Sequence, residues 1–445
     1  MISNKIGTRI GWILDTSDER PNEPKPALLT DRERIIEVRM PLRSVLPVKE
    51  SIFWWLHGNL TLEENEVRAD AQDNIPKEML FCGAQGGISL IGCNFKGFNH
   101  GLHEYGSELI LQADYAVIGV SHRNYSKINS LRTEIPGFTK WFNASENTAK
   151  IQKRSQIDDP ITITMPKQEQ YPLNQHMNLS TNIFWTGTSK EEKQESERHV
   201  YLETSSESEC DWTNHLDAQY AILHLVSLSA WQPFGFSEVF VSRNDDDLEY
   251  HSPKSQKKWN SVTTRRVYAN PDDLPEHPRY LFYFTDIGFE GINKWMKLHK
   301  DLIKTIRPMM SVLQSRYSLD TMHILPVGAM LEELGTYIIK RTDPQKISKM
   351  RHIPFQAFLD AIISDFPFEP FPNMNRKEFI KRTRDIYTQT KHADYNYPDI
   401  LDTLNTIRHN ILLARAWFAL QLGVDKERLE QKIKEDSQYT PLVYA

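Results

Sequence analysis

Cysteine is scarce: Cys82, Cys93 and Cys210 are the only three in 445 residues. A secreted disulfide framework uses more of them, in even number, so the sequence points to a reducing, cytoplasmic setting. Glycine is sparse as well, at 19 residues, which excludes a collagen-like or low-complexity chain. No run approaches 18 apolar residues. The best, residues 411–424, is interrupted by Arg415 and Gln421 and is too short to span a bilayer, so no membrane partner is expected. Residues 1–15 carry Lys5 and Arg9 but no continuous apolar stretch, a poor match to a signal peptide. The formal net charge of −6 excludes a uniformly basic, nucleic-acid-coating protein while leaving room for a local basic patch.

What is present suits globular domains. Apolar residues make up 39% and aromatics 11%, enough to fill real cores, and the length suggests two or three domains. The pattern changes near residue 290. Before it, short apolar runs end at turn residues: 52–56 at Gly58, 88–91 between Gly87 and Gly92, then 109–120, 239–242 and the aromatic 280–284. These read as strands. Residues 218–230 read as one helix packed on the sheet. Residues 189–211 and 244–263, dominated by charged and small polar residues, read as exposed loops. After 290 the apolar spacing turns helical. Leu298, Leu302, Ile306 and Leu313 form one stripe, with Pro308 expected to kink or split it. Further stripes follow at Val327–Leu331–Leu334–Ile338, at Phe355–Phe358–Ile362–Phe366, over 379–390, and from Ile400 to Gly423, with Asp399 as N-cap. The expected fold is α+β: a mainly β, sandwich-like domain over 1–290, then an all-α bundle of about five helices over 291–445.

The densest chemistry lies in residues 376–392, RKEFIKRTRDIYTQTKH. Arg376, Lys377, Lys381, Arg382, Arg384 and Lys391 stand against Glu378 and Asp385, a local charge of +4 that ends in His392. Arginine offers phosphate a planar fork, and histidine exchanges a proton near neutral pH. Together they suit attack of an RNA 2′-hydroxyl on its own phosphate without a metal or other cofactor. The same composition also fits a solvated basic helix face closed by a histidine.

The order Arg384-Asp385…His392 in an all-α region resembles the HEPN ribonuclease motif. The stretch TRDIYTQTKHADYN, followed by a helix ending LLARAWFALQLGVDKERLEQKI, is similar to the ApeA-like HEPN domain. GWILD, FWWLHGNLTL, ISLIGCNF and INSLRTEIPGFTKWF, with its Trp141, resemble the ApeA N-terminal β domain. The resemblance implies a bacterial, cytoplasmic anti-phage factor of the abortive-infection type that cuts RNA and works as a homodimer through the helical domain. Its β domain would sense a phage-derived trigger or restrain the nuclease. On this reading Arg384 binds phosphate, His392 moves a proton and Asp385 orients. Tyr387, Lys391 and one acid of Glu332 or Glu333 support the site, and Arg376, Lys377, Lys381 and Arg382 hold RNA. Periodicity does not choose between Glu332 and Glu333. Seven residues separate Arg384 from His392, more than the family spacer. On an unbroken helix the eight steps between them amount to about 12 Å of rise and about 80° of rotation. A helix end near 388–390, or two copies face to face, would bring the groups together. The long spacer equally fits a non-catalytic sensor or adaptor that dimerises or binds RNA.

Other constellations are weaker. Cys82, Cys93, His100 and His103 have poor spacing for zinc. Residues 83–87 lack the Gly-Lys-Ser/Thr of a phosphate loop and read as a turn between strands. Of Trp54 and Trp55, one is expected to face a core and the other to be exposed. Arg408 and His409, adjacent on a helix, diverge and are not read as a site.

Overall fold

The computed structural model describes residues 6–14, 24–32, 35–42, 76–99, 107–121, 124–142, 150–151, 163–164, 170–173, 177–190, 193–246, 257–264, 278–315, 320–345, 353–371 and 375–443. Residues 52–58, with Trp54 and Trp55, and both His100 and His103 lie outside them, as do parts of the stretches that carried the resemblance.

The first nine strands are β1 (Thr8–Leu14), β2 (Lys25–Arg32), β3 (Ile35–Leu42), β4 (Glu78–Gly83), β5 (Gly86–Ile91), β6 (Asn94–Asn99), β7 (Ser107–Ala113), β8 (Tyr115–Val120) and β9 (Lys127–Glu134). The short helix α1 (Phe138–Phe142) follows, then β10 (Lys150–Ile151), β11 (Ile163–Thr164), β12 (Gln170–Pro172), β13 (Asn178–Lys190) and β14 (Lys193–Asp211). Helix α2 (Trp212–Ala230) precedes β15 (Glu238–Ser242) and β16 (Asn260–Thr264). Fourteen of these strands form one antiparallel sheet in the order β12-β13-β14-β9-β15-β16-β8-β5-β4-β1-β2-β3-β7-β6, and β10 pairs with β11. Two cores result. Strands β1 to β8 enclose their own, around Leu29, Met40, Phe81 and Leu90. The β9–β14 side packs on α2, whose Leu225 and Val226 join the core of the helical region.

The helical region begins at Phe284. It contains α3 (Phe284–Asp301), α4 (Ile303–Gln314), α5 (Ile324–Thr342), α6 (Phe355–Ser364), α7 (Arg376–Lys391), α8 (Ile400–Leu422) and α9 (Lys426–Glu435). That is seven helices among the described residues, against about five expected. One extra helix arises at Leu302, where the backbone leaves helical geometry (φ −111°, ψ 27°). Pro308, expected to make that break, sits inside α4 instead.

Three further expectations are corrected. Residues 189–190 and 193–211 are not loop: the first two end β13 and the rest form β14. Val200, Leu202 and Thr204 alternate inward while β14 pairs with β9. The buried Glu203 that makes this strand look like a loop is held by Arg132 (3.0 Å) and Lys257 (3.1 Å). Within 244–263, strand β16 begins at Asn260 and pairs with β8. Residues 280–283 are not a strand. They are a buried connection whose Leu281 N–H donates to Ser229 O at 2.8 Å, leading into α3.

The two regions are tied by α8. Arg415, 1% exposed, donates through Nε to Leu228 O (2.6 Å) and through Nη2 to Ser229 O (2.9 Å), the carbonyls that close α2. Its Nη1 reaches Asp436 at 2.9 Å. A buried guanidinium is tolerated because its charge is paired and its donors are filled. Trp295 of α3 adds a bond from its indole N–H to Ala221 O at 2.7 Å.

Candidate functional site

Helix α7 forms where the sequence signals it. The Asn375 side chain accepts from the Lys377 N–H at 2.9 Å, Glu378 lies in the first turn and Lys391 in the last, both favourable to the helix dipole. Phe379, Ile380, Thr383, Ile386 and Tyr387 recur at helical spacing and are buried. The opposite face is wet and basic.

The helix is continuous from Arg376 to Lys391, with no break at 388–390. His392 is its C-cap, with extended backbone (φ −114°, ψ 125°), and its N–H donates to Thr388 O at 3.1 Å. The His392 side chain is exposed. Arg384 is half-exposed and folds its guanidinium onto its neighbour: Nε and Nη2 reach Asp385 Oδ1 at 2.9 and 2.6 Å. Its Nη1 contacts Gln356 at 3.4 Å. Asp385 therefore engages Arg384, and among the described residues no hydrogen bond joins it to His392. The eight steps from Arg384 to His392 amount to about 12 Å of rise along the α7 axis.

Of the two adjacent acids on α5, the structure brings Glu332 to α7. Tyr387 donates its hydroxyl to Glu332 Oε1 at 3.3 Å. Burial, then the Glu332 charge, pushes the phenol up to about 12, so it stays a donor at neutral pH. Phe355 packs on the Tyr387 ring (4.6 Å between centroids), and Lys391 Nζ lies 5.2 Å from that ring's centre. Gly328 makes this approach possible, because a Cβ there would collide with the Tyr387 ring. Glu333 is half-buried beside it.

The four residues expected to hold RNA divide. Lys377 and Lys381 are exposed. Arg376 is committed to α6, where Nη2 donates to Ser364 Oγ (2.6 Å) and Asp360 O (3.0 Å). Arg382 turns inward and donates to His409 Nδ1 at 2.7 Å. Because Nδ1 accepts, His409 carries its proton on Nε2, which donates to Tyr439 O at 3.1 Å. Burial, then the Arg382 and Arg408 charges, pushes His409 down to about 4. His409, set aside in the sequence, is thus a structural partner of Arg382. Arg408 diverges from it as expected and binds Thr440 O at 3.1 Å. Arg415 was legible only as the residue that interrupts an apolar run.

The remaining candidates are simpler. Residues 83–87 form the β4–β5 hairpin turn, with Gly86 at φ +98°. Cys93 is buried, which pushes its thiol up to about 12, and burial raises Cys82 as well. No group of three or more metal-ligating side chains occurs among the described residues. No helix among them is long and apolar enough to cross a membrane.

No curated protein and no solved structure matches the sequence. Residues 56–295 match the family described as ApeA N-terminal domain 1, just over half of the chain. The match ends inside α3, so the helices bearing Arg384, Glu332 and His392 follow it. The chain belongs to the ApeA N-terminal domain 1 family.

Proposed function

We propose that this chain is an anti-phage defence effector whose helical region cuts RNA. Membership of the ApeA N-terminal domain 1 family carries this reading, and the surface of α7 supports its chemical part. Arg384 leaves its exchangeable partner Asp385 for a phosphate, a stronger and bidentate acceptor. His392, exposed at the helix end, moves the proton: it takes one from the attacking 2′-hydroxyl, or gives one to the leaving 5′-oxygen. The P–O5′ bond breaks as the P–O2′ bond forms, giving a 2′,3′-cyclic phosphate and a 5′-hydroxyl. Lys377 and Lys381 guide the backbone of the RNA, and Tyr387 with Glu332 stiffens the helix behind the site. On this reading two copies face each other, so that Arg384 of one acts with His392 of the other; the eight steps between them along α7 support it. The β region receives a phage-derived trigger and holds the nuclease silent until then.

Two observations favour the non-catalytic alternative, an adaptor that dimerises or binds RNA: α7 is unbroken and Arg384 is already paired. Incubating total bacterial RNA with the purified protein in EDTA, beside His392→Ala, separates the two. Cutting that the variant loses supports the nuclease. If the purified protein is silent, the assay is repeated in phage-infected extract. A protein still silent there, or a variant that cuts equally well, leaves the adaptor.

A further inference from the structure

Away from α7, helices α2 and α3 meet at a pair of histidines. His224 Nδ1 and His299 Nε2 lie 2.9 Å apart, so one ring donates and the other accepts. The pair is neutral at physiological pH. Burial pushes His224 down to about 3 and His299 to about 4, and the Arg307 charge acts in the same direction on both. In a neutral pair of this kind one outer nitrogen is an N–H donor and the other a lone pair. Neither outer nitrogen has a hydrogen-bond partner among the described residues.

Both rings line a cleft of about 1300 Å³ between α2, α3, α4 and the bulge of β14 between Ser205 and Cys210. Lys297, Lys300 and Arg307 line it too and are exposed. Among the described residues none of the three forms an ion pair, and Asp217 is the one acid in the lining. Positive charge is therefore concentrated in the cleft that the histidine pair lines. Tyr220, Asn214 and Asn293 add an aromatic face and two amides.

We infer that this cleft binds a nucleotide. Lys297, Lys300 and Arg307 meet the phosphate charge. The imidazole N–H donates to a phosphate oxygen and the imidazole lone pair accepts a ribose hydroxyl, while Tyr220 and the amides face the base. The volume exceeds that of a typical small-molecule pocket and admits a nucleotide with room for water. The site bridges α2, packed on the sheet, and the first two helices of the helical region, so its occupant touches both regions at once. The inference does not depend on RNA cleavage by α7.

Titration calorimetry on the full chain tests it, with ATP, GTP, AMP, adenosine, inorganic phosphate and a six-nucleotide RNA as probes. Saturable one-to-one binding of at least one nucleotide is expected, with adenosine at least tenfold weaker. Lys300→Ala/Arg307→Ala, both at exposed positions, is expected to weaken nucleotide binding at least tenfold with an unchanged melting temperature. His224→Gln is expected to weaken it with the cations intact. No saturable binding by any probe, equal binding by the double variant, or binding of the RNA alone would each overturn the assignment.

Discussion

Two arginine–histidine sets share helix α7 and meet opposite fates. Arg382 faces inward and is held by a neutral, buried His409, whose second nitrogen is fixed by Tyr439. Arg384, two residues on, faces outward with Asp385 as its partner, and His392 caps the helix in solvent. Two steps on a helix rotate a side chain by about 200°. Phase alone therefore turns one basic residue into a packing element and leaves the next free to meet a ligand. Residue type and local charge density do not make that distinction.

Perturbing the inner arginines should damage stability. Arg415→Ala is expected to cost the most, about 3–5 kcal/mol, because it leaves Asp436 and two buried carbonyls without their donor. Chemical denaturation would show it, and a loss below 1 kcal/mol would mean that α8 does not lock the two regions. Arg382→Ala should cost about 1.5–3 kcal/mol, the range for a hydrogen bond to a charged group. A similar loss, about 1–3 kcal/mol from overpacking, is expected for Gly328→Ala, because the new methyl meets the Tyr387 ring. Here the readout is the titration of Tyr387 by ultraviolet absorbance, which should shift from about 12 towards the ordinary tyrosine value as its contact with Glu332 loosens.

Acidity probes four histidines together: the buried His215 of α2 and His409, and the part-buried pair His224 and His299. His215, His224, His299 and His409 are all held down, to about 4, 3, 4 and 4, chiefly by burial. In the unfolded chain they protonate near 6.5. Between these values the unfolded state binds more protons, so stability is full above about pH 6.5 and declines as the pH falls towards 4. Melting temperatures across that window should fall steadily, and His409→Gln should flatten part of the slope. A level profile would place these rings in water. The smallest effect on stability, within about 0.5 kcal/mol, is expected for Arg384→Ala, whose ion pair is half-exposed.

Much of the helical region could be read from its sequence. Asp399 caps α8 by accepting from the Asp402 N–H, and Gly423 ends it at φ +100°. The helix expected over 379–390 is α7, with Phe379, Thr383, Ile386 and Tyr387 on its buried face. Local signals suffice there because helix contacts are local. The β13–β14 hairpin was harder. Its inward residues alternate as a strand should, but glutamates and serines surround them, and the buried Glu203 is paired with Arg132 and Lys257 from distant segments. The fates of Arg376 and Arg382 were hidden for the same reason, since their partners Ser364 and His409 lie on other helices. The His224–His299 pair joins residues 75 positions apart, a contact that no spacing rule signals.

The most direct test compares Arg382→Ala and Arg384→Ala side by side, measuring RNA cleavage in EDTA per folded molecule together with melting temperature, in infected extract if the purified protein is silent. The expectation is that Arg384→Ala melts like the wild type and does not cut, whereas Arg382→Ala melts earlier and still cuts. An Arg384→Ala protein that cuts at the wild-type rate would contradict it.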